Sequence, residues 1–161
     1  MIAQKHIIFV LYIYKMTKMT LKQLIKLEDK SEVVWVISPS LHYDLDNKDF
    51  TELVSVNLGE KTKYRYIVPA TTEIAKNMKA YQKKYKLSNA ELDSNFLLVS
   101  NSEFLPFVTE TAIYNPAKEC IACCAPAMEN SQDVIRYNEK TSKAMAKAFK
   151  AIWKKYRRTN P

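Results

Sequence analysis

Short apolar runs recur along the chain and predict β-strands. Residues 32–37 form one continuous run, which is typical of a central strand buried on both faces. Residues 63–69 predict a second strand. Three further runs follow at residues 96–100, 104–115 and 119–125, and the last two are close enough to pair as a hairpin.

Between these strands, apolar positions recur every three or four residues, which predicts amphipathic helices. Capping boxes mark two helix starts, and a third helix is expected to end at Gly59. The capping boxes pair Thr20 with Gln23 and Ser88 with Glu91. Another helix begins at Thr71 or Thr72, and we interpret its apolar stripe as core: Ile74, Met78, Tyr81 and Tyr85.

The last helix is predicted to run from residue 131 to about 158 and to have two contrasting faces. Its apolar face, which would dock on the domain, comprises Val134, Met145, Phe149, Ile152 and Tyr156. The opposite face is a basic stripe of Arg136, Lys140, Lys143, Lys147, Lys150, Lys154, Arg157 and Arg158. Such a stripe is often only the solvated side of a helix, and a surface for an anionic partner is the alternative.

Strands that alternate with helices, followed by a hairpin and a long helix, predict an α/β fold. We expect a mixed, mainly parallel sheet flanked by helices, because βαβ units pair in parallel and a hairpin pairs antiparallel. No repeat or linker interrupts residues 19–161, which we assign to a single domain. Residues 1–18 are an N-terminal extension whose apolar run, 7–14, is too short to span a membrane. An extra strand, an upstream start codon or the core of a signal peptide would explain that run.

The net charge of +8 is a property of the C-terminal segment. Residues 140–161 contain eight Lys or Arg and no acidic residue, whereas the rest of the chain balances 17 basic against 17 acidic residues. The single glycine excludes glycine-rich phosphate loops, dinucleotide-binding fingerprints and nucleophile elbows. Three clustered cysteines form no disulfide framework, which indicates a reducing, cytoplasmic compartment.

In the order of its elements, the chain resembles a phospholipase D-like domain over roughly residues 31–158. The resemblance rests on the strand KYRYIVP at residues 63–69, on Tyr137-Asn138-Glu139, and on the pair Phe149 and Trp153 in the closing helix. In that family a preceding strand carries a His-x-Lys-x4-Asp motif. The histidine attacks phosphorus, the lysine binds the phosphoryl oxygens and the aspartate orients the histidine of the partner half-site.

The residues at those three positions differ in this chain. Aligning Asn115 with the family aspartate places Glu110 at the lysine position and Val108 at the histidine position. Valine cannot attack phosphorus and glutamate repels a phosphodiester, so the resemblance implies a domain without phosphoryl transfer and without a cofactor. Glu110 and Asn115 become candidate ligand-binding residues, since they stand where the family has its site. The structural alternative is a Glu110 carboxylate paired with Lys63 or Arg65.

Other candidate chemistry is sparse. Neither His6 nor His42 has an evident serine or cysteine nucleophile beside it. On a strand, Cys120 and Cys124 would share one face and Cys123 the other, which favours buried small side chains over a metal or redox site. An aspartate cluster lacks the glycine and the terminal glutamate of a calcium loop and is expected at a helix start; it comprises Asp44, Asp46 and Asp49.

Two functional hypotheses follow. The favoured one is a catalytically inactive phospholipase D-like module of the kind found in prokaryotic transcription regulators, with nucleic acid and a second copy of itself as its expected partners. Its binding residues would be Lys143, Lys147, Lys150, Lys154, Arg157 and Arg158. The alternative is a small phosphodiesterase or nuclease of the phospholipase D type that dimerises to complete its site. Attachment to a membrane surface is a third reading, without insertion, because the apolar side of the last helix is expected in the core.

Overall fold

The computed structural model describes residues 16–100, 109–126 and 133–157, and a seven-stranded sheet lies at its centre. The strands are β1 (Thr17–Met19), β2 (Val33–Ile37), β3 (Lys63–Pro69), β4 (Phe96–Val99), β5 (Thr109–Tyr114), β6 (Ile121–Pro126) and β7 (Val134–Arg136). The helices are α1 (Leu21–Asp29), α2 (His42–Asp46), α3 (Lys48–Gly59), α4 (Thr72–Tyr85), α5 (Asn89–Asn95) and α6 (Glu139–Arg157). Across the sheet the strands follow the order β1-β7-β6-β5-β2-β3-β4.

The sheet is mixed, as predicted, but most of its pairings are antiparallel. Among the described strands, β2–β3 and β3–β4 pair in parallel, whereas the other four pairings are antiparallel. The expected mainly parallel arrangement is therefore corrected. The βαβ units supply only three strands, and the hairpin of β5 and β6, followed by the short strands β7 and β1, extends the sheet with antiparallel neighbours.

Strand β2 is buried on both faces, as its apolar run predicts. It lies between β5 and β3, and successive side chains point to opposite faces of the sheet. Val34 and Val36 join a core formed with α1 to α5, whereas Trp35 joins a second core beneath α6. The three cysteines are also buried, Cys120 on the α6 side and Cys123 on the opposite side.

Three of the predicted helix starts agree with the structure. Both capping boxes are present, at Thr20 and Ser88, and the Thr71 side chain accepts a hydrogen bond from the backbone of Ile74. Helix α3 ends at Gly59, as expected. At the amino end, the sheet takes in residues 17 and 18, which the sequence analysis assigned to the extension. Residues 7–14 and the first part of the run at 104–115 lie outside the described residues.

The last helix begins at Glu139, eight residues later than predicted. Val134 and Arg136 instead lie in β7, which pairs with both β6 and β1. The Asn138 side chain accepts a hydrogen bond from the Thr141 backbone N–H at 2.9 Å and so caps α6. Because β7 finds strand partners on both sides, tertiary pairing overrides the helical periodicity of this segment. Val134 packs in the α1 to α5 core, and Arg136 is not part of the helical basic stripe.

Helix α6 docks on the sheet through its apolar side. The Phe149 ring stacks on Trp35 with centroids 4.8 Å apart and planes inclined by 13°. The buried Ser142 hydroxyl accepts a hydrogen bond from the Ala122 backbone N–H at 2.9 Å, which joins the helix to β6. In the part of the chain that the structure describes, no helix has the length and apolar character needed to cross a membrane.

Two candidate sites at opposite ends of the sheet

Strand β5 carries both candidate ligand-binding residues but separates them. Ile37 lies opposite Thr111 and Val34 opposite Tyr114, so Glu110 lies beyond the carboxyl end of β2 and Asn115 at its amino end. Five residue steps along a strand span about 17 Å. The two residues therefore line different cavities. Val108, the position aligned with the family histidine, lies outside the described residues.

Asn115 anchors the amino end of β2. Its backbone adopts the left-handed conformation with φ of 44°. The Oδ1 atom accepts hydrogen bonds from the backbone N–H groups of Glu32 at 2.9 Å and Val33 at 3.3 Å. The Asn115 N–H donates to the Val33 carbonyl at 2.8 Å. These contacts give Asn115 a structural role in addition to its place in a groove.

That groove, here called the Trp35 groove, lies beside α6 at the amino ends of β2 and β3 and has a volume of about 230 Å³. Apolar lining comes from Trp35 with Val33, Pro116 and Ala117. Charged and polar lining comes from Glu32, Lys63, Arg65, Asn115, Lys118 and Lys150. Four cations and one carboxylate therefore border a partly apolar groove.

The single carboxylate is already paired. Both Glu32 oxygens accept hydrogen bonds from Lys118 Nζ, at 2.6 and 2.7 Å, and this ammonium holds the pKa of Glu32 below its usual value. Lys63, Arg65 and Lys150 make no ion pair with a described acidic residue. Three cations around the groove thus have no ion-pair partner among the described residues, although Lys63 also attracts the Glu32 carboxylate.

Two of these cations rest on aromatic rings. The Lys150 ammonium lies 5.6 Å from the Trp35 ring centroid, and the Arg65 guanidinium lies 5.3 Å from that of Trp153. Arg157 also contacts Trp153, at 5.1 Å. Cation–π contacts of this length restrict where the charged groups lie. The rim of the groove is therefore partly preorganised.

Some basic side chains of the α6 stripe form hydrogen bonds or ion pairs with described residues, and others do not. Lys143 pairs with Glu139, and Arg157 donates to carbonyl oxygens at the end of α5 and the start of β4. Three exposed lysines have no hydrogen bond or ion pair with another described residue: Lys140, Lys147 and Lys154. Lys147 and Lys154 are three and four positions from Lys150, so all three share one helix face that ends at the groove. Arg158 lies outside the described residues.

An acidic cavity lies on the opposite face of the sheet. A cavity of about 20 Å³ lies between α1, α2 and the sheet, and three carboxylates line it: Glu28, Asp44 and Glu110. This space is enough for one water molecule. Glu110 lies on the face opposite α6, where it accepts a hydrogen bond from the Ser38 hydroxyl. Since Lys63 and Arg65 border the groove on the α6 side, the alternative pairing of Glu110 with either cation is not formed.

Tyrosine hydroxyls bind two of these carboxylates. Glu28 accepts hydrogen bonds from Tyr64 at 2.9 Å and from Tyr114 at 3.1 Å. Asp44 Oδ1 accepts one from Tyr66 at 3.4 Å, while Asp44 Oδ2 is buried with no hydrogen-bond partner among the described residues. Burial raises the pKa of Glu28 and of Glu110 to about 7 and that of Asp44 well above its usual value. These carboxyl groups therefore carry protons at a pH where exposed ones are ionised.

Sequence reasoning missed Glu28 and placed Asp44 only at a helix start. One signal was available for Glu28, which falls seven and four positions after Leu21 and Leu24 on the apolar stripe of α1, and all three are buried. Asp44 gave no such signal, because its helix has only five residues. Of the other aspartates in that cluster, Asp49 lies in the first turn of α3, as expected.

Among the described residues, neither cavity brings together the side chains of a familiar catalytic centre. His42 Nδ1 lies 3.2 Å from Asp46 Oδ2, and no described serine or cysteine hydrogen bonds to its ring. No three metal-ligating side chains within residues 16–100, 109–126 and 133–157 are grouped closely enough to hold an ion. The described geometry is a groove lined mainly by cations on one face of the sheet and a buried acidic cluster on the other.

Comparison with known proteins supports the fold. No protein-family model matches the sequence, and no curated protein matches it. A crystal structure of polyphosphate kinase from Porphyromonas gingivalis superposes on 85% of this chain with a TM-score of 0.54 and 12% sequence identity. The chain corresponds to 26% of that kinase. At 12% identity this similarity shows a shared fold and nothing about function.

Proposed function

We propose that this protein is a non-catalytic binding module with a phospholipase D-like fold, which binds nucleic acid across the exposed lysines of α6 and the Trp35 groove. One observation carries the proposal: Lys147, Lys150 and Lys154 share a helix face, and Lys150 also borders a groove with Arg65 and Lys63. The one acidic residue of that groove is neutralised by Lys118. A phosphate backbone would meet a row of cations without a competing carboxylate.

The acidic end of the sheet argues against a phosphoryl-transfer function. Glu110 occupies the position aligned with the family lysine, and it faces Glu28 and Asp44 across a small cavity. A negative phosphodiester would gain no cation there among the described residues. A regulatory or scaffolding role therefore agrees better with the geometry than hydrolysis does.

The experiment is a titration of labelled duplex DNA and of labelled single-stranded RNA, followed by fluorescence anisotropy at several salt concentrations. We expect log K to fall with log salt with a slope of about −4, because several counterions are released. Replacing Lys147 and Lys154 by Gln should weaken binding and reduce the slope by about 2. Absence of binding at the lowest salt would overturn the proposal.

A matched control separates local from general charge effects. Lys76 and Lys79 are exposed on α4, on the other side of the sheet from α6. The double substitution Lys76→Gln, Lys79→Gln removes the same charge and should leave affinity within about twofold, because exposed charges beyond a Debye length of about 8 Å are largely screened. Equal losses in both double variants would mean that net charge alone attracts the nucleic acid.

Hydrolysis is the outcome that would favour the alternative. A phosphodiesterase or nuclease of the phospholipase D type would cleave a phosphodiester without a divalent cation, as a dimer. We expect no cleavage in the presence of a chelator, measured alongside the oligomeric state by light scattering. Polyphosphate belongs among the competitors, since the structural neighbour is a polyphosphate kinase.

A further inference from the structure

We infer that the Trp35 groove holds one nucleotide unit of a single strand, with its base on the apolar lining and its phosphate at the cationic rim. This inference rests on the proposed function and adds a preference for unpaired strands. It concerns the α6 face of the sheet at the amino ends of β2 and β3, whereas the cavity lined by Glu110 lies on the opposite face.

The lining of the groove matches a ligand with two chemically different parts. Val33, Pro116 and Ala117 offer an apolar surface against which a flat heterocycle can pack, and Trp35, 5% exposed and stacked on Phe149, adds only an edge to it. Arg65 and Lys150 stand beside this surface, each oriented by an aromatic ring. An inorganic phosphate or a polyphosphate chain would use the rim and leave the apolar lining unused.

The size of the groove limits the ligand to one unit. Its volume of about 230 Å³ lies just below the range of about 300–1,000 Å³ found for pockets that hold drug-sized ligands. One base with its phosphate is the largest repeating part of a nucleic acid that such a groove can take. In a duplex the bases are stacked and paired, so only an unpaired strand can place one there.

A hydrogen-bond donor is also available in the groove. Asn115 Oδ1 is occupied by the backbone N–H groups of Glu32 and Val33, which holds the side chain in place. Its Nδ2 group makes no hydrogen bond with another described residue, and Asn115 lines the groove. An amide N–H in this position can donate to an acceptor on a base edge.

The test fills the groove without changing its charge. Ala117 is exposed in the turn after Asn115, so Ala117→Phe should fold and occupy the space for the base. We expect Ala117→Phe to lower affinity for single-stranded oligonucleotides about tenfold, the loss of one base contact. Affinity for duplex DNA and for polyphosphate should stay within about twofold. Ala80→Phe, at an exposed position of α4, is the matched control and should change nothing.

The outcomes separate this inference from the proposed function. If neither duplex DNA nor single-stranded RNA binds the unmodified protein, both fail, whether or not polyphosphate binds. If single strands and duplexes bind equally and Ala117→Phe weakens neither, the inference fails and the proposed function stands. If Ala117→Phe changes the melting temperature, Arg65→Gln is tested in the same assays instead of Ala117→Phe. Arg65→Gln must then weaken single-strand binding more than Lys86→Gln does for the inference to stand.

Discussion

The Tyr114 hydroxyl donates a hydrogen bond to Glu28 Oε2 at 3.1 Å, although 86 residues separate them in the sequence. Tyr64 binds the other oxygen of the same carboxylate at 2.9 Å, and Asn57 Nδ2 donates to the Tyr64 hydroxyl. Glu28 thus joins α1 to β3 and β5 at a buried position. Desolvation outweighs the two tyrosine hydrogen bonds, so the pKa of Glu28 rises to about 7.

This raised pKa predicts that stability falls as pH rises. The unfolded chain releases the Glu28 proton near the ordinary value of 4.5, whereas the folded protein holds it up to about 7. The stabilisation that comes from the tighter binding of this proton in the folded protein is complete below pH 4.5. It is lost as pH rises through 7, a change of about 3 kcal/mol in the free energy of unfolding. Urea denaturation at pH 5, 6, 7 and 8 measures it.

The variant Glu28→Gln should make that profile less steep, since glutamine does not titrate and still bonds to both tyrosines. Glu110 and Asp44, whose pKa values are also raised, account for the slope that remains. Glu60→Gln, at an exposed position, should keep the wild-type profile. Glu110 is less completely buried than Glu28, so Glu110→Gln should have a smaller effect. A wild-type stability that increases from pH 5 to pH 8 would contradict the assignment.

Asp44→Asn should be more favourable for stability at pH 8 than at pH 5. Asp44 is buried near Glu28 and Glu110, and one of its oxygens has no described partner. At high pH the ionised Asp44 is destabilised by desolvation and by repulsion from like charges, and asparagine avoids both. We expect the change in the free energy of unfolding caused by the substitution to differ by about 1–2 kcal/mol between the two pH values. The control is Asp93→Asn at an exposed position of α5. Equal effects of Asp44→Asn at both pH values would count against an ionisable Asp44.

Asn115→Ala should destabilise the protein more than Asn115→Gly does. Both variants lose the Oδ1 hydrogen bonds to the start of β2, but only alanine carries a Cβ in the left-handed conformation. We expect a loss of about 2–3 kcal/mol for alanine and about 1 kcal/mol less for glycine. Thermal unfolding compares them directly. Identical stabilities would mean that the backbone at position 115 is not held in this conformation.

Ser142→Ala should loosen the docking of α6. The Ala122 N–H would lose its acceptor inside the core, which destabilises a protein by about 1–3 kcal/mol. Ser55→Ala, on the exposed side of α3, should change stability by no more than about 0.5 kcal/mol. Guanidinium unfolding distinguishes the two. A Ser142→Ala protein as stable as the wild type would show that the hydroxyl is dispensable.

How well the candidate site could be predicted depends on the range of the contacts involved. Lys147, Lys150 and Lys154 share a face because of helical geometry, and sequence spacing was enough to find them. The Trp35 groove was not predictable, because it combines β2 and β3 with the turn after β5 and with α6. Glu110 and Asn115 are close in sequence, yet an extended strand holds them at opposite ends of the sheet.

The sequence by itself determined the starts of α1, α4 and α5, the doubly buried β2 and the docking face of α6, because caps and periodicity act within a few residues. Only the tertiary structure decided that residues 134–136 form a strand, since β6 and β1 supply its partners. It also decided that the sheet is mostly antiparallel and that Glu28 and Asp44 meet Glu110 in one cavity. These features depend on pairings across tens of residues, which no local pattern encodes.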